Sequence, residues 1–238
     1  MRLGYITLLL GLLAGVAPVK ASTPEPNTAD ALVDRVQEEW EEVFYSDTEE
    51  QQQAIRYQDF LTRLTALETQ YPKAASPKVL KAMVLCTYAG TQIGLSTLEL
   101  IDKARELLQQ AITLDPKALK GSAYITLGNL YQRLPGWPIS FGDDHLAKTY
   151  LETALKLFPE AMDTNYFYGS FLVDQGQYEE AVRYLGKADQ IPLPASPGIA
   201  DQKLKQHIHH AIRAAEAHQS VSDDFFSRLL PDWLLTKP

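Results

Sequence analysis

A spacing of small and apolar residues occurs four times along the chain, each time followed at the same distance by proline or a proline-rich segment. The three clearest copies are Ala104, Leu108, Ala111, Pro116; Ala147, Leu151, Ala154, Pro159; and Ala181, Leu185, Ala188, with Leu193 between Pro192 and Pro194. A more divergent copy is Phe60, Leu64, Leu67, Pro72. Residues four and then three positions apart lie on one stripe of an α-helix, and proline ends a helix. The pattern predicts four helices that each pack one face on a neighbour.

A partner helix is predicted before each of these helices. Tyr124, Leu127-Gly128 and Tyr131 precede the copy at Ala147, and Asn165, Tyr168-Gly169 and Leu172 precede the copy at Ala181. Ala147 and Ala181 are 34 residues apart, whereas the two earlier copies are spaced by 43 and 44 residues. The longer spacings indicate insertions.

These residues and the 34-residue spacing resemble the tetratricopeptide repeat family. The resemblance covers most of residues 30–194 and is strongest in the last two units. It implies an all-α, right-handed superhelical solenoid of about four helix pairs with a C-terminal capping helix. The expected helices span about 29–45 and 50–71, 78–90 and 97–114, 119–133 and 144–157, 161–175 and 178–190, and finally 199–218.

The two ends of the chain differ from this repeat domain, which we place at 29–218. Arg2 and the apolar run from Leu3 to Val19 predict a signal peptide over 1–21, cleaved after Ala21, with a membrane anchor as the alternative. Residues 22–28 are expected to be a disordered leader. The tail over 219–238 is expected to pack on the solenoid, or else to serve as a partner-binding arm. No membrane span is expected after cleavage.

The net charge and the cysteine content limit the cellular compartments and the classes of partner that we expect. Cys86 is the only cysteine, so an intramolecular disulfide is excluded, and its apolar neighbours predict a buried thiol. An exported protein without disulfides favours a bacterial periplasmic, or secreted, location. The formal net charge of −8 argues against nucleic acid and anionic membranes as partners.

One insertion interrupts the third unit with the segment Arg133–Asp144. Its prolines and glycines stop the helix, while Trp137 and Phe141 are costly to leave in water. These two rings either pack back over the helix ends as a plug or lean over the concave face as a wall of a binding site. Asp143 is expected to cap the following helix, with a metal site at Asp143-Asp144 as the weakest alternative.

Two further resemblances concern this insertion. The stretch 135–143, together with Asn165-Tyr166-Phe167-Tyr168-Gly169, is similar to segments of exported bacterial tetratricopeptide proteins. The general layout also resembles, more loosely, the periplasmic tetratricopeptide component of TRAP-type transporters.

The repeat register predicts which side chains face the concave groove. They are Asn129, Gln132 and Arg133 in the third unit, and Tyr166, Ser170 and Asp174 in the fourth. Such side chains suit an extended peptide or a small polar ligand, because amides bond peptide groups and Arg holds carboxylates. Alternatively, Arg133 and Asp174 pair with each other.

No catalytic motif is present, and we expect neither an enzyme nor a cofactor. His207 and His210 lie one helical turn apart, but nothing nearby completes a metal site, so a solvated face is favoured. The sequence therefore predicts a non-catalytic periplasmic module that binds a protein or peptide partner in the cell envelope through its concave face. The alternative is a small-ligand-binding or transporter-associated component.

Overall fold

The computed structural model describes residues 28–46, 49–92 and 94–220, and all regular structure in these ranges is helical. A short 3₁₀ turn, Ala118–Gly121, precedes α5. The helices are α1 (Ala29–Phe44), α2 (Glu50–Gln70), α3 (Ser76–Gly90), α4 (Leu95–Leu114), α5 (Ser122–Arg133), α6 (Asp144–Leu157), α7 (Met162–Asp174), α8 (Tyr178–Gln190) and α9 (Ile199–Glu216).

Several sequence predictions lie outside the described residues. These are the signal peptide over 1–21, the leader except residue 28, and the C-terminal tail except residues 219 and 220. Within the described ranges, no helix combines the length and apolar character needed to cross a membrane.

Consecutive helices pack as the pairs α1/α2, α3/α4, α5/α6 and α7/α8, and α9 packs on α8 and α7. This arrangement confirms the predicted all-α repeat solenoid of four helix pairs followed by a C-terminal helix. The predicted helix boundaries agree with the observed ones within a few residues throughout. In addition, α1 contacts α9, so the first and last described helices meet.

The repeated stripe forms the core between the helices. Ala104, Leu108 and Ala111 are fully buried, and so are the corresponding residues of α6 and α8, whereas Leu67 in the divergent copy is only half-buried. The small residues at these positions allow the paired helices to approach closely. Burial of one apolar stripe per helix is what holds a repeat array together, because no helix can bury its stripe alone.

Candidate functional site

A cavity of about 330 Å³ lies among α1, α3, α5, α7 and α9. The meeting of α1 with α9 places both ends of the array at this cavity. Four carboxylates line it, namely those of Asp34, Glu41, Asp163 and Asp201. Lys120 is the one lysine or arginine among the described residues that line it. The lining is therefore rich in negative charge.

These carboxylates lack cationic partners. None of the four forms an ion pair with another described residue. Glu41 accepts a 2.8 Å hydrogen bond from the Gln37 amide, and Asp163 accepts one of 2.8 Å from the backbone N–H of Thr164. Asp201 accepts the backbone N–H of Gly198 at 3.1 Å.

Burial disfavours the charged form of three of these groups. Burial raises the pKa of Glu41, and the nearby carboxylates of Asp201 and Glu38 raise it further. Burial likewise raises the pKa of Asp163, against which the charge of Lys120 acts. The pKa of the more exposed Asp34 is also raised, first by burial and then by neighbouring carboxylates. The charge of Lys120 therefore compensates these carboxylates only in part.

Aromatic and apolar side chains form the remaining walls. Trp40, Tyr45 and Phe167 line the cavity together with Met83 and Leu204. The Trp40 indole N–H is already satisfied, since it donates to the Thr87 hydroxyl at 3.2 Å. The ring of Trp40 also stacks on Phe44, with centroids 5.6 Å apart. The walls are thus fixed by packing before any ligand enters.

One threonine hydroxyl completes the lining. Thr126 lies on the cavity wall and forms no side-chain hydrogen bond with another described residue. Its hydroxyl oxygen is not itself buried, although the residue as a whole is only 3% exposed. The Thr126 hydroxyl is therefore available to a bound group.

The 3₁₀ turn before α5 holds Lys120 at the edge of this cavity. Leu119 and Lys120 both adopt left-handed backbone conformations, with φ of 44° and 54°. Such conformations cost non-glycine residues about 1–2 kcal/mol each. Gly121, with φ of 81°, follows without that cost. The turn also borders a neighbouring pocket of about 540 Å³ that shares Asp34, Leu119 and Lys120 with the cavity.

The groove residues predicted from the repeat register occupy a different place. Asn129, Gln132, Tyr166 and Ser170 are at most 4% exposed, so they do not face an open groove in this structure. They lie where α5 and α7 pack with their neighbours. The Asn129 amide donates to the Ile125 carbonyl of its own helix at 2.8 Å, and the Tyr166 ring lies 6.5 Å from that of His207 on α9.

Only two members of the predicted groove set are not buried. Asp174 is exposed and Arg133 is half-buried. The Gln132 amide donates to the Asp174 carboxylate at 2.6 Å and so joins α5 to α7. The structure therefore brings Gln132 and Asp174 of the predicted groove into contact between two helices. The role of the groove residues in partner binding stays a prediction.

The inserted loop combines one anchored ring with one exposed ring. Phe141 packs edge-on against Tyr131, with centroids 5.1 Å apart, and the Arg105 guanidinium lies 4.1 Å from its centroid. Trp137 is 89% exposed and Ile139 is 58% exposed. Phe141 therefore packs back on the neighbouring helices, whereas Trp137 neither packs back nor lines the cavity. The loop points its largest apolar side chain into solvent.

Backbone contacts define the shape of this loop. The N–H of Gly142 donates to the Pro135 carbonyl at 3.0 Å, and the N–H of Asp143 donates to the Tyr131 carbonyl at 2.8 Å. The Asp143 carboxylate accepts the N–H groups of His145 at 2.9 Å and Leu146 at 3.0 Å. Asp143 is thus the N-cap of α6, the role that the sequence predicts for it.

Sequence reasoning missed the cavity residues on α1 and α9. An acidic run such as the one in α1 usually indicates a solvated helix face, but Glu41 is half-buried on the cavity wall. A signal was present: Gln37 and Glu41 lie one turn apart on the side of the helix that adjoins Trp40. The contact between α1 and α9 cannot be predicted from the repeat, because the repeat describes only neighbouring helices.

Cys86 and His209 are two further side chains whose surroundings affect their reactivity. Cys86 is buried in α3, as predicted, and burial raises the pKa of its thiol to about 12. His209 contacts the Asp189 carboxylate at 2.8 Å. Over the part of the chain that the structure describes, no group of three or more His, Cys, Asp or Glu side chains could hold a metal ion.

The comparisons with known proteins bear on the last repeat unit. A family model described as tetratricopeptide repeat matches residues 163–192, which comprise nearly all of α7 and α8. A search of curated proteins gave no match. The matched unit contains Gly169, whose missing Cβ lets Leu185 approach, and the same relationship recurs between Gly128 and Leu151 in the unit before it. The match and the repeated packing support the tetratricopeptide family for this chain, a family that is generally non-catalytic and suggests a protein–protein interaction module.

Proposed function

We propose that this chain is a non-catalytic periplasmic module that binds a protein partner at the cavity enclosed by α1, α3, α5, α7 and α9. The observation that carries the proposal is this cavity, because it combines aromatic walls with a hydroxyl and with carboxylates that Lys120 compensates only in part. Helix pairs of a repeat array hold such a surface rigidly. A preformed site loses little conformational entropy on binding.

The size of the cavity indicates how the partner engages it. A volume of about 330 Å³ accommodates one or two side chains rather than a folded element. Anchor side chains inserted into well-packed pockets supply most of the energy of many protein interfaces. We therefore expect the partner to insert a side chain, while its remaining surface contacts the rim.

A photocrosslinking amino acid at the cavity tests this assignment. It replaces Met83 on the cavity wall, and Gln110 on the exposed side of α4 is the matched control position. We expect one stoichiometric adduct from position 83 and none from position 110, and the purified partner should then bind the unmodified chain. Equal adducts at both positions, or none at position 83, would overturn the proposal.

The periplasmic location is a separate part of the proposal. It is supported by the apolar run that follows Arg2, by the small residue Ala21 after it, and by the single cysteine. Fractionation of a bacterial cell expressing the full chain with a C-terminal tag tests it. The expected result is a periplasmic species whose mass corresponds to a first residue of Ser22, and retention of full-length chain in the cytoplasm would contradict it.

A second candidate is a small-ligand-binding or transporter-associated component. The cavity volume favours it, since about 330 Å³ lies at the lower end of the range of small-molecule sites. Native mass spectrometry of gently purified chain distinguishes the two functions. A discrete added mass that disappears on denaturation would favour the ligand, whereas the position-83 adduct with a protein favours the partner.

A further inference from the structure

We infer that the group which enters this cavity is a positively charged side chain, lysine or arginine, of the protein partner. This inference rests on the proposed function and specifies the chemistry of the same site. Its basis is the joint arrangement of carboxylates, aromatic rings and a hydroxyl around one partly open cavity.

The first step of the argument is charge. Asp34, Glu41, Asp163 and Asp201 contribute four carboxylates to the lining, and Lys120 contributes one ammonium group. A bound anion would meet net repulsion, and a purely apolar group would remove water from the carboxylates without replacing it. A cation removes both penalties, because it supplies the missing counter-charge.

The second step distinguishes an organic cation from a metal ion. In the described residues, the cavity carboxylates are not clustered closely enough for three of them to hold one metal. They come instead from α1, α7 and α9, on different sides of the volume. Spread carboxylates fit a group with several hydrogen-bond donors, as an ammonium or guanidinium group has.

The third step concerns the rest of the entering group. Trp40, Tyr45 and Phe167 offer aromatic rings, which attract cations over their faces. Met83 and Leu204 offer apolar surface for the methylene stem that lysine and arginine share. The hydroxyl of Thr126 lies on the cavity wall, has no partner among the described residues, and can accept one of the donated hydrogen bonds.

The charge of Lys120 allows the direction of a change in binding affinity to be predicted and measured. This charge acts against the burial that raises the pKa of Asp34 and Asp163, and therefore partly compensates the cavity. Removing that charge should strengthen the attraction for an entering cation. Lys120→Asn is the suitable change, because asparagine tolerates the left-handed backbone with φ of 54° at this position.

The experiment measures binding of Ala-Arg-Ala-Arg-Ala-amide, labelled with a fluorophore through its N-terminal amine, to the purified chain at low ionic strength. The control peptide carries citrulline, an uncharged isostere, at both arginine positions. The cavity variant is Asp34→Asn/Glu41→Gln, and the matched control Glu42→Gln/Glu106→Gln removes the same charge from exposed positions. Circular dichroism confirms that each variant is folded.

We expect the arginine peptide to bind and the citrulline peptide to bind at least about tenfold more weakly, equivalent to about 1.4 kcal/mol. The cavity variant should also lose about tenfold in affinity, while the exposed control stays within about twofold. Lys120→Asn should gain affinity by about two- to fivefold. Equal binding of both peptides, or equal losses in the two double variants, would overturn the inference.

A last binding measurement with a small cation distinguishes a protein side chain from a free ligand. Agmatine carries the guanidinium group without a peptide, and it should bind far more weakly than the arginine peptide because it lacks contacts at the rim. Agmatine binding as tight as peptide binding would overturn the inference in favour of a small cationic ligand. If the position-83 adduct forms but no basic peptide binds, the proposed function survives and only this inference fails.

Discussion

Gly128 lies so close to Leu151 that a Cβ atom at position 128 would fall 2.6 Å from the Leu151 Cγ atom. The same relationship recurs one repeat later, where a Cβ on Gly169 would fall 2.8 Å from the Leu185 Cγ atom. The Leu residues are the central members of the repeated stripe. The pairs α5/α6 and α7/α8 therefore each close on a contact between a glycine and a leucine, which sets how near the two helices stand.

This contact predicts opposite outcomes for glycine substitutions in two kinds of position. Gly128→Ala and Gly169→Ala should each lower the free energy of unfolding by about 1–3 kcal/mol, because the added methyl overpacks a buried contact. Gly186→Ala, also in a helix but with open space around its Cβ, should raise it by up to about 1 kcal/mol. Urea denaturation followed by circular dichroism measures all three. A neutral result at position 128 would show that the helices separate at little cost.

The inserted loop predicts a difference between its two large aromatic residues. Phe141→Ala should cost about 1–2 kcal/mol, because it removes the contact with Tyr131 and the cation–π contact with Arg105. Trp137→Ala should change stability by less than about 0.5 kcal/mol, since that side chain is 89% exposed. Thermal unfolding of the two variants provides the comparison. A large loss at position 137 would mean that the ring packs in solution.

The same two residues show what a sequence can and cannot predict. The stripe of Ala104, Leu108 and Ala111 was predictable because helical periodicity alone decides which face is buried. The exposure of Trp137 was not predictable. Its apolar character indicates only that exposure is costly, and it does not show whether the backbone permits burial. Backbone hydrogen bonds of the loop decide that point, and they depend on its three-dimensional course.

The repeat register could not predict the cavity, for a related reason. A register predicts the inner face of each helix, but it does not predict how far the array curves. In this chain α1 meets α9, and that closure brings Glu41 and Asp201 to one cavity although they are far apart in sequence. The same register placed Tyr166 and Ser170 on an open groove, whereas packing with neighbouring helices buries them.

The burial of Tyr166 changes what its removal should do. Tyr166 is fully buried and its ring packs against Phe167 at 4.8 Å. Tyr166→Ala should therefore cost about 3–5 kcal/mol of stability, as other large core truncations do. Asp174→Asn, at an exposed position in the predicted groove, should cost less than about 1 kcal/mol. Denaturant titration separates the two, and a stable Tyr166→Ala variant would argue against the observed packing.

A buried ion-pair cluster joins α2 to α3 and predicts a loss of stability in acid. Glu68 accepts hydrogen bonds from Lys81 and from Lys78, the latter at 3.0 Å. Burial alone would raise the pKa of Glu68, but the two lysines outweigh it and hold the pKa below its ordinary value of 4.5. The stabilisation is therefore complete above that value and is lost as the pH falls through the lower pKa of the folded state.

The corresponding variant is Glu68→Gln. It should lower the free energy of unfolding at pH 7 by about 1–3 kcal/mol, because Lys81 stays buried without its counter-charge. The difference from the unmodified chain should shrink as the pH falls below 4.5 and through the lower pKa of Glu68 in the folded state. Glu180→Gln breaks an exposed pair with Arg183 and should cost less than about 0.5 kcal/mol. A pH-independent difference at position 68 would contradict this account.

Glu41 on the cavity wall should show the opposite dependence on pH. Burial, followed by the charges of Asp201 and Glu38, raises the pKa of Glu41 above its ordinary value of 4.5. An acid whose pKa is raised on folding destabilises the folded state as the pH rises from 4.5 through that higher pKa. Glu41→Gln should therefore increase the melting temperature at pH 7, and the increase should vanish as the pH falls below 4.5.

The exposed neighbour Glu42 supplies the control, since Glu42→Gln changes the same charge on the same helix and should shift the melting temperature little. Thermal scans between pH 4 and pH 8 test the pair. A lower melting temperature for Glu41→Gln would show that the carboxylate is stabilised in the folded state. If instead this variant is more stable and binds the arginine peptide less well, the carboxylate costs the fold stability and is needed for binding, which is the trade-off typical of binding sites.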